Sequence, residues 1–213
     1  MAFVHTVPVD RASGDVHAMY SRIEAAVGYV PNYAKLFSHR PQVMATWSAF
    51  LASIRGNMDP RRYELVTLAA ARALQCSYCL LAHGAVLRRD FYSAEELTEI
   101  TRDPATSDLS PAEAAMMVFV DKLTRDATGI TPGDVQGLRD RGFSDAEIFD
   151  IVAAAGARCF FSKLLDALGA EADGAYDFLE DPLKEILTPG RPMSHGALER
   201  VPDAGSATPP RPS

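Results

Sequence analysis

Residues 64–83 read ELVTLAAARALQCSYCLLAH, an Ala/Leu-rich run with four chemically capable side chains set into it: Glu64, Cys76, Cys79 and His83. On a helix, residues three and four apart share a face. Cys76 and Cys79 stand at i and i+3, and Cys79 and His83 at i and i+4, so both thiols and the imidazole line one stripe. Glu64 cannot join them on an unbroken helix, where a rise of ~1.5 Å per residue would hold it about 18 Å from Cys76. It meets the thiols only if the chain breaks near Leu74-Gln75-Cys76 and the two halves fold side by side. Ser77 offers a capping hydroxyl for such a break, although nothing in the Ala/Leu run forces one.

Outward from this run the chain continues to read as helices with clear start and stop signals. Asp15 to Val27 ends at Gly28. Pro41 opens a segment whose apolar face is Val43, Met44, Trp47, Phe50, Leu51 and Ile54, with Gly56 at its end. Asp59-Pro60 supplies an N-cap and a first helical position. Ser93…Glu96, Ser110…Glu113 and Ser144…Glu147 have the spacing of capping boxes. The last opens a long helix, Asp145 to Leu168, with Ile148, Phe149, Ile151, Val152, Cys159, Phe160 and Leu164 expected inside and Gly169 as its stop. This second Ala-rich stretch carries no counterpart of the Glu/Cys/Cys/His set. No segment alternates with period two between hairpin turns, so an all-α fold is expected. One domain over residues 1–187 is expected, followed by a flexible Pro/Gly/Ser-rich tail over residues 188–213.

Composition narrows the function classes. The 213 residues carry 21 Lys+Arg against 28 Asp+Glu, a net charge of −7, which argues against nucleic-acid or anionic-membrane binding, since both need a positive field. No apolar run is long enough for a membrane span, and the N-terminus lacks the pattern of a secretory signal. Three cysteines, two of them three residues apart, suit a reducing, cytoplasmic setting and a catalytic or metal-binding pair. There is no Gly-rich phosphate loop and no dinucleotide fingerprint, so no cofactor is expected, and flavin or nicotinamide would belong to a partner.

Two thiols and an imidazole on one stripe suit dithiol redox chemistry. A helix starting near Cys76 would favour the ionised form of that thiol through its N-terminal partial charge. His83, one turn beyond Cys79, can take its proton or stabilise its thiolate. A neighbouring thiol can then close a disulfide on an oxidised sulfur. Two other readings compete: a pair of small buried hydrophobes, and a zinc site drawn from Cys76, Cys79, His83 and Glu64. Cys159 reads as a packing residue, and His5, His17, His39 and His195 show no metal spacing.

The spacing E-x11-C-x2-C-x3-H on this background resembles the alkylhydroperoxidase D / carboxymuconolactone decarboxylase superfamily. PNYAKLFSHRPQVMATWSAF upstream (residues 31–50) and LSPAEAAMMVFVDKLTRDATGITPGDVQGLRDRGFSDAEIFDIVAAA downstream (residues 109–155) resemble its peroxidase-related branch. The resemblance implies an all-helical homo-oligomer, a dimer, trimer or hexamer, that reduces organic hydroperoxides through the CxxC pair. It further implies Cys79 as the peroxide-attacking thiol, Cys76 as the resolving thiol, Glu64 and His83 as a proton relay, and recycling by a lipoyl-type or thioredoxin-like dithiol. At one position the chain departs. Well-studied members place a second histidine before the second cysteine, where this chain has Tyr78, a poor base at neutral pH. An acid–base enzyme of the decarboxylase type and a non-catalytic small-ligand-binding oligomer are the alternative functions.

Overall fold

The computed structural model describes residues 2–202, and among them every regular element is helical. The α-helices are α1 (Gly14–Val27), α2 (Asn32–Leu36), α3 (Pro41–Arg55), α4 (Pro60–Ala73), α5 (Ser77–Asp90), α6 (Ala94–Arg102), α7 (Pro111–Arg125), α8 (Pro132–Arg139), α9 (Asp145–Ala167) and α10 (Asp181–Ile186). The central element is α4, packed on α5, α7 and α9. From Tyr63 to Ala71 every one of its residues is buried. Ala69, Ala70 and Ala71 are small enough to admit neighbouring helices on several sides, while Leu65 and Leu68 fill the space between them.

The expected start signals are largely in place. Asp59 caps α4 by accepting the Arg62 backbone N–H at 3.0 Å, with Pro60 at the first position. Ser93/Glu96 and Ser144/Glu147 form reciprocal capping boxes. The third pair does not. Ser110 accepts the Glu113 N–H, but the Glu113 carboxylate turns to Arg61 at 2.6 Å instead of to the Ser110 backbone. A further box, Thr131/Asp134, opens α8 with the shorter acid in the reciprocal role.

Two expectations about inward faces are corrected. On α3, Val43 and Phe50 are exposed, and on α9 so are Phe149, Val152 and Phe160, with Phe149 at 71%. These helices are apolar on more than one side, so a list of apolar residues does not single out the buried face. Gln42, Val43, Thr46, Trp47, Phe50, Ala153, Gly156, Ala157 and Phe160 line an open apolar groove of about 680 Å³ between the two helices.

The segment expected as a flexible tail is tied to the helices over its described part. Gly190 N–H donates to Ser77 Oγ at 2.9 Å, the Arg191 guanidinium to the Asp166 carbonyl, and Ser194 N–H to the Ala172 carbonyl. Val30 N–H bonds the Glu199 carbonyl, and Lys35 pairs with the Glu199 carboxylate. The boundary at Thr188 therefore does not mark where contacts with the helices stop. Residues 203–213 of the expected tail lie outside the described residues.

Candidate active site

The break between α4 and α5 falls at Leu74-Gln75-Cys76 and is a Schellman motif. Cys76 N–H donates to the Ala71 carbonyl and Gln75 N–H to the Arg72 carbonyl, both at 3.0 Å. Gln75, at φ +55°, holds the left-handed position usually given to glycine. Cys76 is at once the third residue past the end of α4 and the N-cap of α5. Ser77, expected as the cap, instead accepts the Gly190 N–H through its hydroxyl.

Folding α5 back along α4 brings Glu64 to His83, whose Nδ1 lies 2.5 Å from Glu64 Oε2. Glu64 is only 3% exposed. Burial pushes its carboxyl up, but His83, helped by Arg55 and Arg158, outweighs burial and holds it below the ordinary carboxylate value. Arg55 lies 4.0 Å from its other oxygen.

Both thiols are free and buried. They are strongly differentiated, and in the opposite sense to that expected from the helix start alone. Cys79, in the first turn of α5, is held down to about 5, foremost by the hydrogen bond from the Cys76 thiol and then, against its own burial, by Arg158, Ser162 and His83. Cys76 is pushed well above the ordinary thiol range, chiefly because it spends its proton on Cys79, with burial adding to this. The anionic sulfur is therefore Cys79, with Cys76 as its proton-bearing neighbour.

Two residues at this sulfur were not anticipated. Arg158 and Ser162, one turn apart on α9, bring a guanidinium nitrogen to 3.5 Å and a hydroxyl to 3.2 Å from Cys79 Sγ. The Ala-rich stretch that has no counterpart of the Glu/Cys/Cys/His set supplies the cation that faces the thiolate. Its signal in the sequence was an Arg and a Ser at i and i+4 within the otherwise uncharged stretch 151–162. Burial lowers the Arg158 guanidinium while Cys79 raises it, and the net result favours the charged form.

Tyr78 points elsewhere. Its phenol accepts the Tyr33 backbone N–H at 3.2 Å and hydrogen-bonds the Asp173 carboxylate, which in turn accepts the Asn32 N–H at 2.9 Å. Burial, reinforced by Asp173, drives this phenol well above its ordinary value, so Tyr78 anchors α2 and the 169–176 loop and moves no proton at neutral pH.

A cavity of about 420 Å³ opens over this floor. Cys79, His83 and Arg158 line its base, Tyr33, Trp47, Tyr63, Tyr78, Phe161 and Tyr176 its walls, and Arg55 its side. Cys76 does not line it. Among the described residues no group of three or more His, Cys, Asp or Glu is placed to hold a metal ion, and Glu64 and His83 are engaged with each other.

Residues 41–122, which include all four expected site residues, match the carboxymuconolactone decarboxylase family. The fold is that of an uncharacterised peroxidase-related protein from Ralstonia eutropha JMP134, described as an alkylhydroperoxidase AhpD core. The TM-score is 0.72 at 21% identity, over 88% of this chain and 96% of that one. The family match is confined to residues 41–122, and the whole chain shares the alkylhydroperoxidase D-like fold. An uncharacterised peroxidase-related protein from Silicibacter sp. TM1040 is similar to this chain at a TM-score of 0.74 and 22% identity, over 83% and 94% of the two chains. The debrominase Bmp8, in complex with 2,3,4-tribromopyrrole, is similar at 0.63 and 14%, over 81% and 89%. At these identities the likeness is one of fold. No curated protein matches the sequence. Arg158 and Ser162 lie outside the segment that matches the family. Among the described residues no helix is long and apolar enough to cross a membrane.

Proposed function

We propose that this chain is a thiol peroxidase that reduces organic hydroperoxides through Cys79 and Cys76. The observation that carries the reading is the asymmetry of the pair: one thiol is held as an anion by Arg158, Ser162 and its neighbour at the base of a cavity, and the other is kept protonated beside it. The Cys79 thiolate attacks the terminal oxygen of ROOH, the O–O bond breaks, and RO⁻ leaves with a proton from His83 as ROH. Cys79 is then a sulfenic acid. Cys76 attacks its sulfur, the S–S bond forms, and hydroxide leaves with the Cys76 proton as water. The peroxide gains two electrons and the dithiol loses them. An external dithiol, lipoyl-type or thioredoxin-like, reduces the disulfide and is itself oxidised. Glu64 holds the imidazole and shares the proton through its bond to Nδ1.

One equivalent of an organic hydroperoxide added to the reduced, metal-free protein tests this. Two thiols are expected to disappear within seconds, with a Cys76–Cys79 disulfide and free Cys159 by mass mapping. Persistence of all three thiols over minutes, or unchanged peroxide consumption in Cys79→Ser, overturns the reading. Activity that survives alkylation of both thiols would point to the acid–base alternative.

The aromatic walls favour a second reading, reductive dehalogenation of a halogenated aromatic ring. There Ar–X and the dithiol give Ar–H, HX and the disulfide, and halide release from tribromopyrrole is the assay. The homo-oligomer implied by the resemblance is supported by the open apolar groove between α3 and α9, which an assembly of this chain would cover.

A further inference from the structure

The cavity over Cys79 is built for more than a hydroperoxide group. Its walls are aromatic rings that brace one another. Trp47 and Phe161 stack at 5.5 Å and 7°, and Tyr33 meets Phe161 edge-on at 5.5 Å. Such a cage is rigid before anything enters it, and its faces and edges favour a planar ring over an alkyl group of equal area.

At its base the polar accounting is incomplete. Arg158 is 5% exposed, yet its Nε has no hydrogen-bond partner, and no carboxylate among the described residues lies within ion-pairing distance of it. The Phe161 ring lies beneath its guanidinium at 5.4 Å, and its anionic neighbour is Cys79. The Glu64 carboxylate is committed to His83. A buried guanidinium with an open donor can accept an anionic partner.

We propose that this cavity binds an aromatic carboxylate, its ring against the wall formed by Trp47, Tyr33 and Phe161 and its carboxylate on Arg158, and binds it more tightly once Cys79 has been oxidised. The redox dependence follows from charge balance. While Cys79 is a thiolate 3.5 Å away, Arg158 is already neutralised and an incoming carboxylate meets a like charge. Conversion of the pair to a disulfide removes that charge and leaves a buried cation without a counter-ion, a state that an anionic ligand relieves. By reciprocity the ligand favours the disulfide over the dithiol by the same factor. The proposal deepens the peroxidase reading by naming the class of organic group the site holds. It rests on that reading only for Cys79 being the sulfur whose charge is lost.

The chain carries its own reporter, because Trp47, its single tryptophan, lines the cavity. Benzoate is titrated by tryptophan fluorescence into the protein reduced with a phosphine and into the protein oxidised with diamide. Saturable binding is expected in both, about tenfold or more tighter in the oxidised form. Cyclohexanecarboxylate, which lacks the ring, and benzyl alcohol, which lacks the charge, are each expected to bind at least about tenfold more weakly than benzoate. Arg158→Met is expected to abolish the redox preference, whereas Arg55→Ala keeps it. Absence of saturable binding, equal affinity in the two redox states, or loss of the preference in Arg55→Ala overturns the proposal. The comparison of redox states in the unaltered protein stands even if Arg158→Met does not fold. Diamide makes the disulfide without any peroxide, so thiols that resist hydroperoxide refute the peroxidase reading, while the benzoate titrations alone decide this one.

Discussion

Replacing Arg158 with Met keeps most of the side-chain volume and removes the cation that faces Cys79. A unit charge 3.5 Å from the sulfur, at the effective dielectric of about 20 that suits such sites, contributes roughly 5 kcal/mol. Delocalisation over the guanidinium reduces this, so a rise of about two to three pK units in the Cys79 thiol is expected. Starting from about 5, the midpoint moves to about 7–8. The assay is the rate of iodoacetamide alkylation against pH in a Cys159→Ser background, with the modified residue identified by mass. The parent protein should react at a nearly constant rate from pH 6 upward. The Arg158→Met protein should be about ten- to a hundredfold slower at pH 6 and converge with the parent by pH 9. Cys76 stays protonated over this range and does not compete. A folded Arg158→Met protein whose midpoint remains near 5 would show that Cys76 and the helix start suffice, and would refute the role given to the cation.

Ser162→Ala removes a hydroxyl donor from the same sulfur, and a smaller rise of about one pK unit is expected in the same assay. Glu64→Gln leaves His83 without its carboxylate, so stopped-flow hydroperoxide reduction should slow by about a hundredfold while the Cys79 midpoint stays low. Gln75→Val should lower stability to denaturant by about 1–2 kcal/mol because of the positive φ, whereas Gln75→Gly is expected to be neutral or stabilising. Cys79 is ionised in the folded chain from about pH 5, but in the unfolded chain only near the ordinary thiol value of 9.0. The unfolded state therefore binds the extra proton between these limits, and the stability Cys79 contributes should grow with pH across them and fade as pH falls through 5. The difference in Tm between the parent and Cys79→Ala, measured against pH, checks the sign. Above that window Cys76 opposes further gain, since it keeps its proton where the unfolded thiol loses one.

The sequence carried the helices through side chains that act locally. Asp59-Pro60, Ser93…Glu96 and Ser144…Glu147 hydrogen-bond within a turn of where they stand, so their meaning does not depend on the rest of the fold. The break at Leu74-Gln75-Cys76 was needed by Glu64 but had no such marker, because glutamine occupies a position that glycine normally advertises. The relay pair Glu64/His83 was legible as a requirement and the thiols as a stripe. On the thiols the sequence pointed two ways, the helix start to Cys76 and His83 with the family resemblance to Cys79, because the groups that separate them, Arg158 and Ser162, stand about eighty residues downstream. The exposed Phe149, Val152 and Phe160 show the same boundary. Periodicity reports that a face is apolar, and only packing decides what meets it.

The Schellman turn gives the E-x11-C spacing a particular sensitivity to insertion and deletion. Glu64 sits back along α4 and His83 forward along α5, and they meet because the three-residue turn sets the rotational phase of the second helix against the first. One residue gained or lost at the turn would rotate α5 by about 100° and shift it by about 1.5 Å. Cys79 and His83 would swing together away from Glu64, Arg158 and Ser162, although each helix would remain intact. Any side chain along either helix can be exchanged singly with a local effect, but the length of that turn is shared by every group in the site. A homologue with an altered length there would keep its helices and its motif residues and still lack the assembled site.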